Sequence, residues 1–254
     1  MDKYFASNYT GPAFELFGTA HLIALACILA LILFLLPFRN ADDKVKRRIR
    51  LLLALFLWTN ELAWHYWNYV SGTWTLQTML PLQTCSLAVW FAGWMLLFKN
   101  YRLYEFVYLL GIGGAIQALA TPGLGIYGFP HFAFFQYFIS HGLIITSAIY
   151  MTVVEHFRPT WKSLIRVAIW ANIYLVIIYF VNLQLGSNYL MVNAKPNTPS
   201  ILDLLPPWPF YILYMEAIGI LTFLILYLPF AIRDWYAKSK LNKETSARLD
   251  NLLK

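Results

Sequence analysis

The sequence has little charge. Asp, Glu, Lys and Arg make up 12% of its 254 residues, whereas hydrophobic residues make up 60%. A soluble domain usually carries about 25% charged residues, so this chain has too few to cover a surface that faces water. The composition therefore predicts a protein that crosses a membrane several times. The net charge of +7 does not indicate nucleic-acid binding, because the basic residues lie between apolar runs, where they set membrane orientation.

Cysteine is also scarce. Cys27 and Cys85 are the two in the chain, and both lie in apolar segments, which excludes a disulfide framework and a zinc-finger pattern. The sequence contains neither the H-E-x-x-H motif of zinc proteases nor the G-x-x-x-x-G-K-[ST] motif of nucleotide-binding loops. We therefore expect no cofactor, no bound metal and no nucleic-acid partner. A metal site built from His and Glu on separate helices stays open as an alternative.

The apolar runs of this chain are long. Runs of about 17 to 25 residues are long enough to span a bilayer, and each must then be helical because lipid offers no partner for the backbone. The sequence predicts seven such spans, at about 17–38, 47–70, 79–98, 103–119, 132–155, 161–183 and 208–231. The fold class that we predict is an all-α bundle of seven transmembrane helices, forming one domain over residues 1–254 with a polar cytoplasmic tail at 238–254.

The basic residues predict the orientation of this bundle. Of the 19 Lys and Arg residues, 17 lie after spans one, three, five and seven, and only Lys3 and Lys195 lie on the other side. Positive charge is enriched in cytoplasmic connections. We therefore expect the N-terminus outside, the C-terminus inside, and a multi-pass protein of the cell membrane.

Polar side chains inside the predicted spans lie at one level. At about 1.5 Å per residue, six ionisable groups fall about 6 to 13 Å below the outer helix ends. These are His21, Glu61, His65, Cys85, His141 and Glu216. Burying such groups against lipid is costly, so they are expected to face one another or water. The simplest arrangement is one polar cavity that opens outward.

Within this cavity, the residue types predict a nucleophile and a base. A thiolate at Cys85 would be a good nucleophile, and His141 would take its proton. Glu61 and His65 are four residues apart on one helical face, where the carboxylate would orient the imidazole. The alternative for Cys85 is a small apolar filler, and for Glu61 and His65 a polar contact that only locks helices together.

Several segments carry a resemblance to a known family. They are Leu80-Pro81-Leu82-Gln83-Thr84-Cys85-Ser86, the span with His141, Gly186-Ser187-Asn188-Tyr189, Lys195-Pro196, Ser200-Ile201-Leu202-Asp203 and Pro207-Trp208-Pro209. Together they resemble the YwaF-like family of bacterial integral membrane proteins. That family is similar to a vertebrate transmembrane acyltransferase of ether-phospholipid remodelling, and more remotely to the androgen-induced threonine hydrolases. One departure is Gln83, where the family is expected to have histidine.

The resemblance implies a function. It implies a lipid acyltransferase or acyl-ester hydrolase in which Cys85 is the nucleophile and His141 its base, acting on phospholipid or fatty-acyl esters. We predict supporting roles for five residues and substrate or headgroup contacts for three more. The supporting residues are Glu61, His65, Gln83, Gln117 and Glu216, with the two glutamines as oxyanion donors; the contact residues are His131, Asn188 and Lys195. The predicted partners are membrane lipids. A transporter or small-molecule receptor using the same cavity, and a metal-dependent lipid hydrolase, are the alternatives.

Overall fold

The fold is a bundle of helices. The computed structural model describes residues 2–195 and 201–252, and every regular element in these two ranges is helical. The helices are α1 (Asp2–Phe5), α2 (Thr19–Leu35), α3 (Asp43–Val70), α4 (Thr84–Phe98), α5 (Tyr101–Phe106), α6 (Ile112–Ala120), α7 (Phe132–Val153), α8 (Trp161–Leu185) and α9 (Phe210–Leu252). Short 3₁₀ turns occur at Leu36–Asn40, Tyr189–Met191 and Ile201–Leu204, and a π-helical turn at Val107–Gly111 joins α5 to α6.

Five helical segments are long and apolar enough to cross a membrane. They are Thr19–Asn40, Tyr101–Ala120, Phe132–Val153, Trp161–Leu185 and Phe210–Lys240. Each coincides with one of the predicted spans to within a few residues, except that the last helix runs on. Helix α9 continues to Leu252. The described residues of the predicted polar tail are therefore part of the last helix. The chain has the helices of a multi-pass membrane protein.

The other two predicted spans correspond to α3 and α4, which differ from the five. Helix α3 has 28 residues, which is ample length, but it contains polar side chains in its C-terminal half. Helix α4 has 15 residues and begins at Thr84, five residues after the start at about residue 79 that the sequence predicts for this span. The segment before it forms a turn, in which the Leu82 amide donates to the Leu80 carbonyl. At about 1.5 Å per residue α4 is about 22 Å long, shorter than the hydrocarbon layer of about 30 Å.

Helix α7 is the centre of the bundle. In the most apolar 18-residue stretch of α7, 72% of the residues are buried, whereas 6% are buried in the corresponding stretch of α9. Helix α7 contacts α2, α3, α4 and α6. Small residues allow this close packing, as a Cβ at Gly111 would lie 3.1 Å from Ile144 on α7 and one at Gly113 would lie 2.9 Å from Thr222 on α9. Helices α8 and α9 lie at the periphery, and most of their apolar side chains face outward.

Ion pairs join the ends of the helices on the side that is rich in basic residues. Glu105 is buried and accepts from Ser163 at 2.6 Å and from the guanidinium of Arg166. Glu155 pairs with Lys99 at 2.5 Å and with Arg50 at 3.0 Å. Because each carboxylate contacts groups from other helices, these pairs fix the bundle at this end.

The segment before α2 is bound at the opposite end of the bundle. The Phe14 amide donates to the Gly125 carbonyl at 3.0 Å, and the Tyr127 hydroxyl donates to the Ser7 carbonyl at 2.8 Å. The indole of Trp67 on α3 donates to the Phe5 carbonyl at 2.8 Å. These bonds hold the N-terminal segment against the loop between α6 and α7.

We expect Gly128→Ala to loosen this contact. A Cβ at residue 128 would overlap the carbonyl oxygen of Pro12 and lie 2.6 Å from that of Ala13, and both are main-chain atoms that a rotamer change cannot move. The free energy of unfolding should fall by about 1–3 kcal/mol, the usual cost of overpacking. Thermal melting of the purified protein in detergent measures it. The matched control is Gly123→Ala in the same loop, where nothing lies within 4 Å of the new Cβ. Equal melting temperatures for the two variants would show that this contact does not hold the segment.

Candidate active site

Cys85 is the second residue of α4. The turn that precedes α4 makes Gln83 the residue that caps its start, so the thiol lies in the first helical turn. The side chain is half-buried and faces α6, because a Cβ at Gly114 would lie 3.5 Å from its Sγ. Glycine at position 114 therefore leaves open the space beside the sulfur.

His141 lies on α7 in a defined tautomer. Its Nδ1 is 2.8 Å from the carbonyl oxygen of Tyr137, one turn earlier on the same helix. A carbonyl oxygen only accepts, so Nδ1 carries the proton and Nε2 keeps a lone pair. The rings of His141 and Tyr137 are 4.3 Å apart between centroids, which holds the imidazole in place. Nε2 is therefore the ring nitrogen of His141 that is able to accept a proton.

One cavity contains both residues. It has a volume of about 450 Å³ and lies between α3, α4, α7 and the loop that joins α6 to α7. Its polar lining comes from Glu61, Cys85, Ser86, Gln136, Tyr137, Ser140 and His141, and the loop residues are Gly123, Leu124, Gly125, Ile126 and Tyr127. The residues that the sequence predicts to meet as nucleophile and base therefore line the same space.

Glu61 connects this cavity to His65 on α3 and, through His65, to Trp74 beyond the end of that helix. Its carboxylate lies beside the hydroxyl of Ser86 and is 3% exposed. The Nε2 atom of His65 is 3.7 Å from the carboxylate, as the predicted spacing of four residues requires. The indole N–H of Trp74 donates to His65 Nδ1 at 3.1 Å, so the proton of His65 is on Nε2 and faces Glu61. The predicted Glu61–His65 pair is present, and Trp74 fixes its direction.

A comparison with known protein families adds to this geometry. The model of the TMEM164 family matches residues 16–227, which is well over half of the chain and includes Glu61, Cys85 and His141. The chain belongs to the TMEM164 family. No curated protein and no solved structure matches it. The match agrees with the predicted relation to the vertebrate membrane acyltransferase, whereas the resemblances to the YwaF-like proteins and to the androgen-induced threonine hydrolases stay predictions. With its five apolar helices, this TMEM164-family protein is a multi-pass membrane protein.

Gln83 and Gln117 lie outside the cavity of this TMEM164-family protein. The side-chain oxygen of Gln83 accepts from the Leu190 amide at 3.2 Å, and the side chain is exposed. Gln117 is exposed on α6. Neither side chain lines the space around Cys85, so neither is placed to donate to an oxyanion there. Gln136 and Ser140 on α7 line this space instead.

Glu216 also lies elsewhere. It is half-buried on α9 and lines a second cavity with Thr84 and Asn172, on the opposite side of the start of α4. The support for Cys85 that the sequence predicts is therefore not available from Glu216 in this arrangement. His21, at the same predicted depth, is buried, and its ring nitrogens contact the Phe17 amide and the Leu119 carbonyl.

The three predicted headgroup residues bind the main chain. Buried His131 caps α7, accepting from the Ala133 amide at 3.1 Å and lying 3.1 Å from the Ala6 carbonyl, and burial lowers its pKa below the usual range. The Asn188 amide donates to Ala194. The Lys195 ammonium donates to the Leu205 carbonyl at 2.7 Å. The ring nitrogens of His131 are thus both engaged, and Asn188 and Lys195 order the loop before α9.

Sequence reasoning assigned no role to four polar residues that line the cavity, namely Ser86, Gln136, Tyr137 and Ser140. A signal for three of them exists, since Gln136, Tyr137 and Ser140 lie within about one and a half helical turns before His141 and share its side of α7. Among the described residues, no group of three or more His, Cys, Asp or Glu side chains is arranged to hold a metal ion.

Proposed function

We propose that this protein is a membrane-embedded lipid acyltransferase or acyl-ester hydrolase that uses Cys85 as nucleophile and His141 as general base. The observation that supports it most is that both side chains line one cavity, and that His141 uses Nδ1, and not Nε2, for its hydrogen bond to the main chain. A thiol with a neighbouring imidazole base is a common arrangement for acyl transfer. The substrates would be phospholipids or fatty-acyl esters of the cell membrane.

The chemistry would follow two steps. In the first, the Cys85 sulfur attacks the acyl carbonyl carbon while His141 Nε2 takes the thiol proton. The bond from the carbonyl carbon to the alcohol oxygen then breaks, and the alcohol leaves with the proton from Nε2. In the second, a hydroxyl of a lysophospholipid, or water, gives its proton to Nε2 and attacks the thioester. The sulfur leaves as thiolate and recovers the proton, which regenerates the pair.

The other cavity residues fit supporting roles. Hydroxyl and amide donors stabilise an oxyanion when they are fixed in position, and Ser86, Gln136 and Ser140 supply such groups beside Cys85. Glu61 accepts and does not donate while it is ionised, so its role is to hold Ser86 and His65. We propose that this part of the site orients groups and does not react.

The proposal includes a topology of seven crossings with the N-terminus outside. In this arrangement the 28 residues of α3 are long enough to cross the membrane. Helix α4 has only 15 residues, so it starts below the outer surface of the membrane. The turn-forming segment before α4 then fills the outer layer and leaves Cys85 recessed. The ion pairs of Glu105 and Glu155 lie at the cytoplasmic ends of the helices, where the basic residues are concentrated.

The packing below the cavity favours an enzyme over a transporter. Going inward from Cys85, Ala88 and Ala92 on α4 are fully buried, and so are Ile144 and Ala148 on α7. These side chains fill the space on the cytoplasmic side of the pair. A transporter needs an exit on that side, whereas an acyltransferase needs a closed end.

The test is reconstitution of the purified protein in liposomes that contain a phospholipid with a labelled acyl chain and an unlabelled lysophospholipid. We expect the label to appear in the acceptor lipid if the protein is a transferase, or as free fatty acid if it is a hydrolase. Label that stays in the donor, with protein that melts cooperatively and with several donor headgroups tried, would contradict the proposal.

A further inference from the structure

A second cavity lies on the other side of the start of α4. It has a volume of about 180 Å³ and is bounded by α4, the π-helical turn, α8, α9 and the 3₁₀ turn Tyr189–Met191. Most of its lining is apolar, with side chains such as Leu175 and Phe223. Because α8 and α9 are the peripheral helices, this cavity lies where the bundle meets lipid.

Four polar side chains interrupt this apolar lining. The Tyr174 hydroxyl donates to the Leu82 carbonyl, and the other three are able to accept hydrogen bonds from a ligand. Glu216 has no hydrogen-bond or ion-pair partner among the described residues. The amide nitrogen of Asn172 donates to the Ala168 carbonyl, which leaves its side-chain oxygen to accept. Thr84 adds a hydroxyl that both donates and accepts. Glu216 is half-buried and Asn172 is exposed at the face of the bundle that meets lipid. Hydrocarbon supplies no donor there, and an acceptor without a partner is costly in it, so these oxygens favour a ligand that donates.

The charges select the donor. Among the described residues that line this cavity none is basic, so a phosphate headgroup would have no cation to pair with. A primary ammonium offers three donors and one positive charge, which matches a carboxylate, an amide oxygen and a hydroxyl. The apolar walls fit the first methylenes of an alkyl chain, and the rest of the chain would extend into the bilayer.

From this match we infer a binding site for a single-chain membrane amphiphile with a primary ammonium group. Glu216 pairs with the ammonium, and the Asn172 side-chain oxygen and the Thr84 hydroxyl accept hydrogen bonds from it. The alkyl chain of the ligand lies between α8 and α9. The site is separate from Cys85, since Thr84 faces this cavity while Cys85 and Ser86 face the other one. It therefore does not depend on the proposed acyl chemistry.

The experiment is photolabelling of the full-length protein in nanodiscs made of phosphatidylcholine. The probe is a twelve-carbon primary alkylamine with a diazirine in its chain, and mass spectrometry maps the labelled peptides. We expect labels on the α8 and α9 segments near Asn172 and Glu216, removed by excess dodecylamine but not by excess dodecanol. Lysophosphatidylethanolamine, which adds a phosphate to the amine, should compete more weakly than dodecylamine.

Variants distinguish a specific contact with the Glu216 carboxylate from a general attraction of the amine to a charged surface. Glu216→Gln should lower labelling at low probe concentration by about tenfold or more, as expected for losing a hydrogen bond between charged groups. Glu216→Asp should retain part of it, because the carboxylate remains. Glu15→Gln removes an exposed carboxylate outside this cavity and should leave labelling unchanged, as should Cys85→Ala. Equal competition by dodecanol and dodecylamine would overturn the inference, since a plain acyl groove would bind both. Labels that map only to residues outside the lining of this cavity would also overturn it. This readout on the wild-type protein does not depend on whether a variant folds.

Discussion

Replacing Cys85 with alanine is expected to lower acyl transfer in liposomes by at least about a thousandfold, because the variant has no atom to form the acyl intermediate. The substitution removes a single atom, Sγ, from a half-buried side chain at the edge of the core, so little packing is lost. The variant should therefore melt near the wild-type temperature. Turnover is measured per folded protein, from the labelled chain that reaches the acceptor lipid or the free fatty acid.

Two further variants sharpen this result. Cys27→Ala should retain full activity, because Cys27 lies in an apolar cavity between α2 and α7 and does not line the space around His141. Cys85→Ser keeps a hydroxyl of similar size in place of the thiol, and its activity should be well below that of the wild type because an alcohol is harder to deprotonate. Unchanged turnover in Cys85→Ala would remove Cys85 as the nucleophile.

The second large effect is expected for His141→Asn. The amide nitrogen of asparagine can donate to the Tyr137 carbonyl as Nδ1 does, but it supplies no base in place of Nε2. General base catalysis typically contributes about a hundredfold to ten-thousandfold. We expect the rate of acyl transfer to fall by a factor in this range, with binding of the donor lipid little changed.

The control for this variant is His21→Asn. His21 is buried at the start of α2, and both of its ring nitrogens contact main-chain atoms outside the cavity. Its replacement should lower the melting temperature and leave the rate per folded protein close to that of the wild type. If His141→Asn and His21→Asn reduce the rate alike once folding is accounted for, His141 acts only in packing.

The apolar runs were sufficient to predict most of the helices. Five predicted spans coincide with helices of suitable length and composition, because a run of apolar residues leaves the backbone no alternative to a helix in lipid. The start of α4 was not predictable in this way. An average of hydropathy along the sequence treats Leu80 and Leu82 as part of an apolar span. The Leu80 amide, however, donates to the Tyr189 hydroxyl, which comes from a loop more than a hundred residues later.

The sequence predicts how deep each candidate site residue lies below the helix ends, but it does not predict which cavity the side chain faces. The estimate of depth placed Glu61, Cys85 and His141 at similar levels, and these three residues line one cavity. It placed Glu216 at the same level, yet Glu216 faces another cavity. Depth is a single coordinate, and the side of a helix that faces a given neighbour depends on which helices pack together.

The loop residues show the same limit. The sequence marks Asn188 as a polar residue in a long outer connection, which is compatible with a ligand contact or with a turn. Its side chain bonds Ala194 and accepts from the Asn193 amide, and so it closes a loop. Such local bonds compete with ligand binding for the same polar atoms, and a sequence alone does not reveal which of the two is satisfied.

The most direct test of the central claim is to detect the acyl group on the protein. The reconstituted protein is incubated briefly with the labelled donor lipid without acceptor, quenched, digested and mapped by mass spectrometry. We predict an acyl adduct on Cys85 that hydroxylamine removes, as expected for a thioester, and that forms at least about a hundredfold more slowly in His141→Asn. An adduct on another residue, or acyl transfer that proceeds at the wild-type rate while Cys85 stays unmodified, would contradict the account.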